Sequence, residues 1–401
     1  MWLPATASNV VAVAAGGDNT LALRLDGTVV AWGDNTFGQN LIPSAATGVV
    51  SVAEGDACSL ALRSDGTIVA WGNSTNGQLN VPANASGAVQ IAAGTANADA
   101  LLPNGTVVQW GSGAYVPATA TNVVAIAARG GNALALRADG SVVAWGSYNA
   151  PVLTNAIAIA AGDNHGLALL ANGSVQAWGS DYYGQIEVPS AASNIVAIAA
   201  GDYNSLALRG DGTLISWGYA NNNQPAFQAP ASGLMTIGAG SLHNLAIAGQ
   251  TITQNVPPGG SALLSSGNLG SRLGSFQWYY NGSAIAGATN AFLSLTNLQG
   301  FNSGVYQVLV SNPLKAVAGP AINVVIPTLH FDPASIVWQP QNRTITMNLI
   351  DATGTNPVVI YASTNLLVWQ AVFTNPPSAN PINFTDTRPT GAGRRFYRAR
   401  Q

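Results

Sequence analysis

Hydrophobic and polar residues alternate along the first 250 residues in a pattern that repeats. The first copy reads VVAVAAGGDNTLALRLDGTVVAWG, and the sixth reads NIVAIAAGDYNSLALRGDGTLISWG. β-Branched and small residues alternate on either side of an Asp-Gly or Asn-Gly dipeptide. This dipeptide favours a tight hairpin, because both central residues of a type I′ turn take positive φ. Each copy therefore predicts a small antiparallel sheet of three strands.

A Trp-Gly pair marks the end of each copy. The pairs begin at Trp32, Trp71, Trp110, Trp145, Trp178 and Trp217, with spacings of 39, 39, 35, 33 and 39 residues. A period near 40 residues, with room for a fourth strand in segments such as GQLNVP, is typical of a β-propeller blade. A seventh copy starts at Leu234 and lacks the Trp-Gly half. The pattern predicts a seven-bladed β-propeller over residues 1–254, with a degenerate last blade that residues 1–4 complete.

These repeats resemble the regulator of chromosome condensation repeat family. The string GQLNVPANASGAVQIAAG is most similar to its bacterial branch, which contains β-lactamase inhibitory protein II. The resemblance covers residues 1 to about 254. It implies a propeller that binds a protein target through aromatic and acidic loop residues of one face. Because propellers are scaffolds for many functions, no individual contact can be carried over.

The pattern changes after residue 254. Residues 255–326 resemble an immunoglobulin-like sandwich, with Trp278 as its buried tryptophan, Tyr306 at its tyrosine corner and Val308 where the second cysteine would stand. Residues 327–401 predict a small C-terminal β-rich module, which resembles a terminal module of exported bacterial proteins. We therefore expect an all-β chain of three parts, located outside the cell or at its surface, although no signal peptide is visible.

Composition argues against several function classes. Charged residues make up 7% of the chain, and Lys315 is its single lysine. The sequence has no P-loop, no HExxH motif and no His/Cys group at zinc spacing, so we expect no cofactor, no metal site and no enzymatic activity. Residues 1–250 hold 13 acids and 5 arginines, a net charge of −8, which argues against nucleic-acid binding. No apolar run has the length of a membrane span.

One face of the predicted propeller collects acidic and aromatic residues. The loops between the first and second strands should emerge on the same face as the segments that follow Trp-Gly, while the Asp-Gly turns lie on the opposite face. Tyrosines and acids on one surface favour protein binding. Packing of the loop aromatics on neighbouring blades is an equally good interpretation. The candidate binding residues are Asp18, Phe37, Asp56, Tyr148, Asp163, Asp181, Tyr182, Tyr183, Asp202, Tyr203 and Tyr219.

Four other features have structural interpretations. His165, His243 and Cys58 share one position of the repeat with asparagines, and we expect them to hydrogen-bond loop backbone. Asp99 stands where other copies have leucine, which we interpret as a local register shift. The third and fourth copies have shortened connections without Gly-Gln, which predicts a notch in the rim. The arginines near the C-terminus are typical of a charged edge strand.

Three functions are consistent with this sequence. We expect a non-enzymatic binding protein whose propeller face recognises another protein or a surface glycan. The first alternative is a carbohydrate-active or carbohydrate-binding propeller, in which catalysis would need two carboxyl groups about 5–9.5 Å apart. The second is guanine-nucleotide exchange, which rests on fold analogy alone. The ligand cannot be identified from the sequence.

Overall fold

The chain is all-β in the part that the structure, a computed structural model, describes. Three short 3-10 turns, Ala83–Ala85, Gly300–Asn302 and Pro333–Ser335, interrupt the strands. No helix in this part is long and apolar enough to cross a membrane. The chain divides into two units, residues 1–253, 263–294 and 305–323, and residues 254–262, 295–304 and 324–401. The described residues are 4, 6–113, 115–219, 234–241, 243–248, 252–265, 275–290, 292–311, 316–318, 321–326, 330–331, 333–350, 358–376, 382–387 and 395–400.

Seven antiparallel sheets, numbered 1 to 7 here, follow one another along the described part of residues 10–248. Sheets 1 to 6 have three strands in chain order, and sheet 7 has two. The strands of sheets 1 to 3 are β1 (Val10–Ala15), β2 (Asn19–Arg24), β3 (Val29–Gly33), β4 (Val49–Glu54), β5 (Cys58–Arg63), β6 (Ile68–Gly72), β7 (Gln90–Ala93), β8 (Asn97–Leu101) and β9 (Val107–Gly111). Those of sheets 4 to 7 are β10 (Val123–Arg129), β11 (Asn132–Arg137), β12 (Val142–Trp145), β13 (Ala156–Ala161), β14 (His165–Leu170), β15 (Val175–Gly179), β16 (Ile195–Ala200), β17 (Asn204–Arg209), β18 (Leu214–Gly218), β19 (Leu234–Ala239) and β20 (Asn244–Ala248).

The hairpin turns form where the Asp-Gly and Asn-Gly dipeptides predict them, but the expected type I′ geometry is wrong, because in each dipeptide only the glycine has positive φ. Gly27 has φ +75°, a conformation that side chains other than glycine rarely adopt. The Asp26 carboxylate accepts a hydrogen bond from the backbone N–H of Thr28 at 3.0 Å, and Asp65, Asp139 and Asp211 make the equivalent bond. Each turn is therefore fixed by its own side chain.

The first strands of the seven sheets surround a central cavity. Each lies beside the first strand of the next sheet, and β19 lies beside β1, so the sheets form a closed ring. Leucines of the second strands fill the space between sheets. The cavity is lined at seven equivalent positions by β-branched residues, namely Val13, Val52, Ile91, Ile126, Ile159, Ile198 and Ile237.

Tryptophans lie between neighbouring sheets, as the repeat pattern predicts. Trp110 is 7% exposed, and its Nε1–H donates to the backbone oxygen of Gln78 at 2.8 Å. Trp71 and Trp217 make the same bond to the oxygens of Gln39 and Gln185. The Gly-Gln segments are turns rather than the fourth strands that we considered. Their glutamine side chains are fully buried, and the glutamine backbone oxygens accept hydrogen bonds from the tryptophan of the next sheet.

The third and fourth repeats lack this acceptor. Their connections after Trp110 and Trp145 have no Gly-Gln pair. The Nε1–H groups of Trp145 and Trp178, on the following sheets, are consequently buried without a hydrogen-bond partner. An unpaired buried donor is destabilising. The junctions between sheets 3 and 4 and between sheets 4 and 5 therefore lack a stabilising bond that the junctions 1/2, 2/3 and 5/6 have.

The interpretation of Asp99 as a register shift is wrong. Asp99 pairs with Ala92 and Gln109 in the register in which Leu21 pairs with Ala14 and Ala31. Its carboxyl group therefore occupies the leucine position with no solvent exposure. Burial raises its pKa to about 7, opposed by the hydrogen bond that Asn97 Nδ2 donates to Oδ2 of Asp99 at 3.3 Å.

The later part of the chain forms further antiparallel sheets. Strands β21 (Ile252–Asn255), β28 (Ile322–Val325), β26 (Gly304–Ser311), β23 (Ser275–Tyr280) and β24 (Ser283–Ala284) are neighbours in that order, with β27 (Ala316–Ala318) also on β26. Strand β22 (Ala262–Ser265) pairs with β25 (Phe292–Leu295). The remaining sheets contain β29 (His330–Phe331), β31 (Thr344–Ile350) and β30 (Val337–Gln339), with β34 (Ile382–Thr387) on β31, and β33 (Gln370–Asn375), β32 (Val358–Ser363) and β35 (Phe396–Arg400).

Individual predictions for this later part have mixed outcomes. Trp278 is fully buried and lies opposite Val308 on the neighbouring strand, so its predicted burial is confirmed. Strand β35 lies at a sheet edge, with Arg395 in an ion pair to Asp386 at 2.9 Å and Arg398 over the ring of Trp369. Of residues 1–4, which we expected to complete the last sheet, residues 1–3 lie outside the described residues and Pro4 is not part of a strand.

Candidate functional site

The loops between first and second strands lie beside the segments that follow the third strands, as predicted. The backbone N–H of Asp34 donates to the carbonyl oxygen of Asp18 at 2.9 Å, and Tyr219 donates to Tyr203 at 2.8 Å. Sheets 2, 3 and 5 repeat this bond. The Asp-Gly turns are at the other ends of the strands. These loops and segments together form what we call the loop face.

Four tyrosines of sheets 5 and 6 form a cluster on the loop face. The ring centroid of Tyr183 lies 4.8 Å from that of Tyr182, 5.0 Å from that of Tyr203 and 4.6 Å from that of Tyr219, all in edge-to-face geometry. Edge-to-face pairs stabilise one arrangement of the rings. Tyr182 is 83% exposed and Tyr183 39%, so the cluster presents an ordered aromatic surface to solvent. We call these four residues the tyrosine cluster.

Acidic residues lie beside the tyrosine cluster. Burial raises the pKa of Asp163, and the negative charges of Asp202 and Asp56 raise it further. Burial raises the pKa of Tyr203, to which the charges of Asp163 and Asp202 also contribute. The carboxyl groups are thus close enough to repel one another when ionised.

Arg129 supplies a positive charge beside these carboxyl groups, and sequence reasoning missed it. Its Nε donates to Oδ1 of Asp202 at 2.6 Å, with both side chains largely buried. Its other nitrogens donate to backbone oxygens of sheets 1 and 7. A signal was present in the sequence, since Arg129 replaces the glycine that the other six repeats have at this position.

The remaining candidate residues do not join the tyrosine cluster. Asp18 and Asp181 are exposed, and Phe37 is 51% exposed. Asp56 accepts a hydrogen bond from the Thr95 hydroxyl. Tyr148 is half-buried, and its hydroxyl donates to the oxygen of Gly162 at 3.3 Å. For Tyr148 the packing interpretation is therefore the better one.

The histidines act between sheets. His165 Nε2 lies 2.8 Å from Oγ of Ser205, and His243 Nε2 lies 3.0 Å from Oγ1 of Thr20. Burial lowers the pKa of His165 to about 4, with a further contribution from Arg129, so the ring is neutral at pH 7. For the two histidines the partners are side-chain hydroxyls of the next sheet rather than the loop backbone that we expected. For Cys58 the expectation is confirmed, because its Sγ donates to the backbone oxygen of Gly94 at 3.7 Å. Among the described residues, no group of three or more His, Cys, Asp or Glu side chains could hold a metal ion.

Four segments of the chain match the model of the regulator of chromosome condensation (RCC1) repeat. They are residues 10–39, 49–78, 156–185 and 195–224, which contain the strands of sheets 1, 2, 5 and 6. The first three segments end at Gln39, Gln78 and Gln185. Three of the four matched repeats are thus those whose glutamine carbonyls accept a hydrogen bond from the next tryptophan.

Two similar solved structures come from plant receptor kinases. The CRINKLY WD40 ectodomain of ACR4 from Arabidopsis thaliana has 19% sequence identity and a TM-score of 0.48, covering 59% of this chain and 91% of that one. The entire ectodomain of CR4 from Physcomitrella patens has 21% identity and a TM-score of 0.46, covering 86% of this chain and 92% of that one. No curated protein matches the chain in sequence.

Proposed function

We propose that this chain is a non-enzymatic binding protein that recognises another protein through the tyrosine cluster and the adjacent acids of the loop face. The observation that carries the proposal is the packing of Tyr182, Tyr183, Tyr203 and Tyr219 into one partly exposed surface. Large aromatic side chains that are already ordered bind with a low entropic cost, and tyrosine is enriched among residues that dominate binding energy. The net charge of −8 on residues 1–250 favours a partner with a basic surface.

The proposal extends to the architecture. We infer that the seven sheets are the blades of a seven-bladed propeller with an incomplete last blade. The closed ring of first strands supports this inference. We also propose that residues 255–326 are immunoglobulin-like, which the buried Trp278 supports, and that the protein is exported or displayed at the cell surface, with the later modules as spacer and attachment.

The proposal predicts that Tyr182→Ala combined with Tyr183→Ala weakens partner binding by at least about 2 kcal/mol. The full chain and its variants serve as bait for surface and secreted proteins, and captured proteins are compared by mass spectrometry before affinities are measured. Tyr115→Ala is the matched control, because Tyr115 is 91% exposed and outside the cluster. A protein that the control captures and the double variant loses is the expected result. Equal capture by all three baits would exclude this surface.

A further inference from the structure

One position of the repeat breaks an otherwise invariant pattern. The residue three places before the shared Asn, His or Cys position is glycine in six copies and arginine in the fourth. Glycine is required at this position because the backbones of neighbouring sheets approach closely. A Cβ on Gly55 would overlap the carbonyl oxygen of Gly94 in the next sheet. In sheet 4, Gly130 with φ +57° lies nearest Gly94 instead. The backbone of sheet 4 therefore accommodates a side chain at residue 129.

The side chain of Arg129 reaches three other sheets. Nη1 donates to the backbone oxygens of Ala15 at 2.9 Å and Ala239 at 3.4 Å, and Nη2 donates to that of Gly16 at 3.0 Å. Nε completes the set with the carboxylate of Asp202 at 2.6 Å. The guanidinium, which is 6% exposed, thus binds sheet 1, sheet 6 and sheet 7 together.

These contacts fall on the seam where the ring closes. Sheet 4 is three places from sheet 1 in one direction and three places from sheet 7 in the other, so Arg129 crosses the mouth of the central cavity. At the seam itself, the Ser241 backbone N–H donates to the oxygens of Gly16 and Gly17, at 3.3 and 3.2 Å. His243, which like Ser241 belongs to sheet 7, contacts Thr20 of sheet 1. Charge-assisted hydrogen bonds from a buried guanidinium are stronger than these neutral ones.

The same ion pair holds part of the binding surface. Asp202 directly precedes Tyr203, whose ring packs on Tyr183 at 5.0 Å. A carboxylate fixed by Arg129 therefore fixes the loop from which Tyr203 projects. Removal of the guanidinium would leave Asp202 and Asp163 as neighbouring, uncompensated negative charges, a strongly unfavourable arrangement.

We propose that Arg129 is the latch of the ring, joining sheet 7 to sheet 1 across the cavity mouth, and that through Asp202 it is a positioning residue for Tyr203 in the tyrosine cluster. The second part rests on the proposed function, whereas the closure of the ring does not. Arg129 is the one residue of the seven at this repeat position that is not glycine. The variant Arg129→Gly therefore restores the residue of the other six copies.

The test compares Arg129→Gly, Arg129→Lys and Asp202→Asn by hydrogen–deuterium exchange. We expect Arg129→Gly to speed exchange about tenfold or more in peptides covering residues 13–17, 237–241 and 201–204, because the local opening energy there falls. Arg129→Lys keeps the charge without the planar fork and should give an intermediate rate. Asp202→Asn should change residues 201–204 more than the seam. The control is Arg137→Gly in the same sheet, which removes a partly exposed ion pair to Asp139 and hydrogen bonds to Thr121 and Ser141, and which should leave all three peptides unchanged.

Chemical rescue separates a latch from general destabilisation. Guanidinium chloride at low millimolar concentration should slow exchange in Arg129→Gly at the seam and at residues 201–204, while equal sodium chloride should not. Unchanged exchange in Arg129→Gly, or a uniform increase over all sheets without rescue, would overturn the proposal. Failure to find a protein partner would contradict the proposed function but leave these exchange results intact. Partner binding unaffected by Arg129→Gly would contradict the positioning role alone.

Discussion

Side chains at a single repeat position connect six of the seven sheets to the next one, whereas Asn97 of sheet 3 donates to Asp99 of its own sheet. His165 reaches Ser205, Asn204 reaches Asn244 at 2.7 Å, and His243 reaches Thr20. Asn19 instead contacts the buried carboxyl group of Glu54, whose pKa burial raises well above its usual range. Because the bonded groups are 35 to 40 positions apart within the repeats, or more at the seam, these bonds depend on the ring and not on local sequence. The repeat position predicted a structural role for these residues, but it could not identify the partners.

Asp99 predicts an unusual pH dependence of stability. Its folded-state pKa of about 7 lies above the ordinary value of about 3.9 for an aspartate, so the folded protein binds the proton more tightly than the unfolded chain does. The associated stability is present at low pH and is lost as pH rises towards and through 7. Asp99→Asn removes this titration, so the stability of the wild type relative to the variant should fall by about 2–3 kcal/mol between pH 5 and 8. Urea denaturation at several pH values measures the difference.

The Asp99 comparison has internal controls. His165, whose folded-state pKa of about 4 works in the opposite direction over part of this range, is present in both proteins, so its contribution cancels. Asp139→Asn is the matched surface variant, since the exposed Asp139 has a lowered pKa and stays ionised from pH 5 to 8. A constant stability difference between wild type and Asp99→Asn over this range would mean that Asp99 is not buried as described.

At the scale of elements, the Gly-Gln turn links each repeat to the tryptophan of the next. The alternating strands and Asp-Gly hairpins were predictable, because they depend on residues within a few positions. The sequence also indicated that the third and fourth repeats lack Gly-Gln. It did not indicate that Trp145 and Trp178 would lack a hydrogen-bond acceptor, because each indole donor belongs to the repeat that follows the one without Gly-Gln.

Two tryptophans with matched burial should therefore differ in what their indole N–H contributes. Trp110 is 7% exposed and bonded to Gln78, whereas Trp145 is 6% exposed and unbonded. Replacement by phenylalanine removes similar volume from both sites, but only Trp110→Phe leaves a carbonyl without its donor. We expect Trp110→Phe to lower the free energy of unfolding by about 1 kcal/mol more than Trp145→Phe.

Denaturant titrations with a common m-value measure this difference. Trp71→Phe and Trp178→Phe form a second pair with the same contrast between a bonded and an unbonded indole. Equal losses within both pairs would show that the turn carbonyls do not stabilise the seams.

For the whole molecule, closure of the ring is the property that the sequence described least well. The repeats predicted sheets around an axis, and the contacts of the first strands agree with that. The diametric contact of Arg129 joins residues more than 100 positions apart, to backbone oxygens that every repeat possesses. Because the acceptors are backbone oxygens, no side-chain pattern in sheets 1 and 7 predicts the contact with Arg129. The common face of the loops was easier to predict, because it follows from strand direction, but the sequence did not predict that four of its tyrosines pack together.

The ring contacts predict where the first part of the chain can be cut. Arg129, Ala239, Ser241 and His243 supply the closing bonds, and all precede residue 250. The Ile252 N–H donates instead to Ala321 at 2.8 Å, in the six-stranded sheet. A fragment of residues 1–250 should therefore melt in one cooperative transition. Residues 1–233, which lack β19 and β20, should lose cooperativity, because sheet 1 keeps a neighbour only on its sheet 2 side and Arg129 loses Ala239. Calorimetry and near-ultraviolet circular dichroism distinguish the two, with residues 1–254 as the length control. Cooperative melting of residues 1–233 at an unchanged temperature would mean that each sheet is stabilised only by its immediate neighbours, as in an open repeat array.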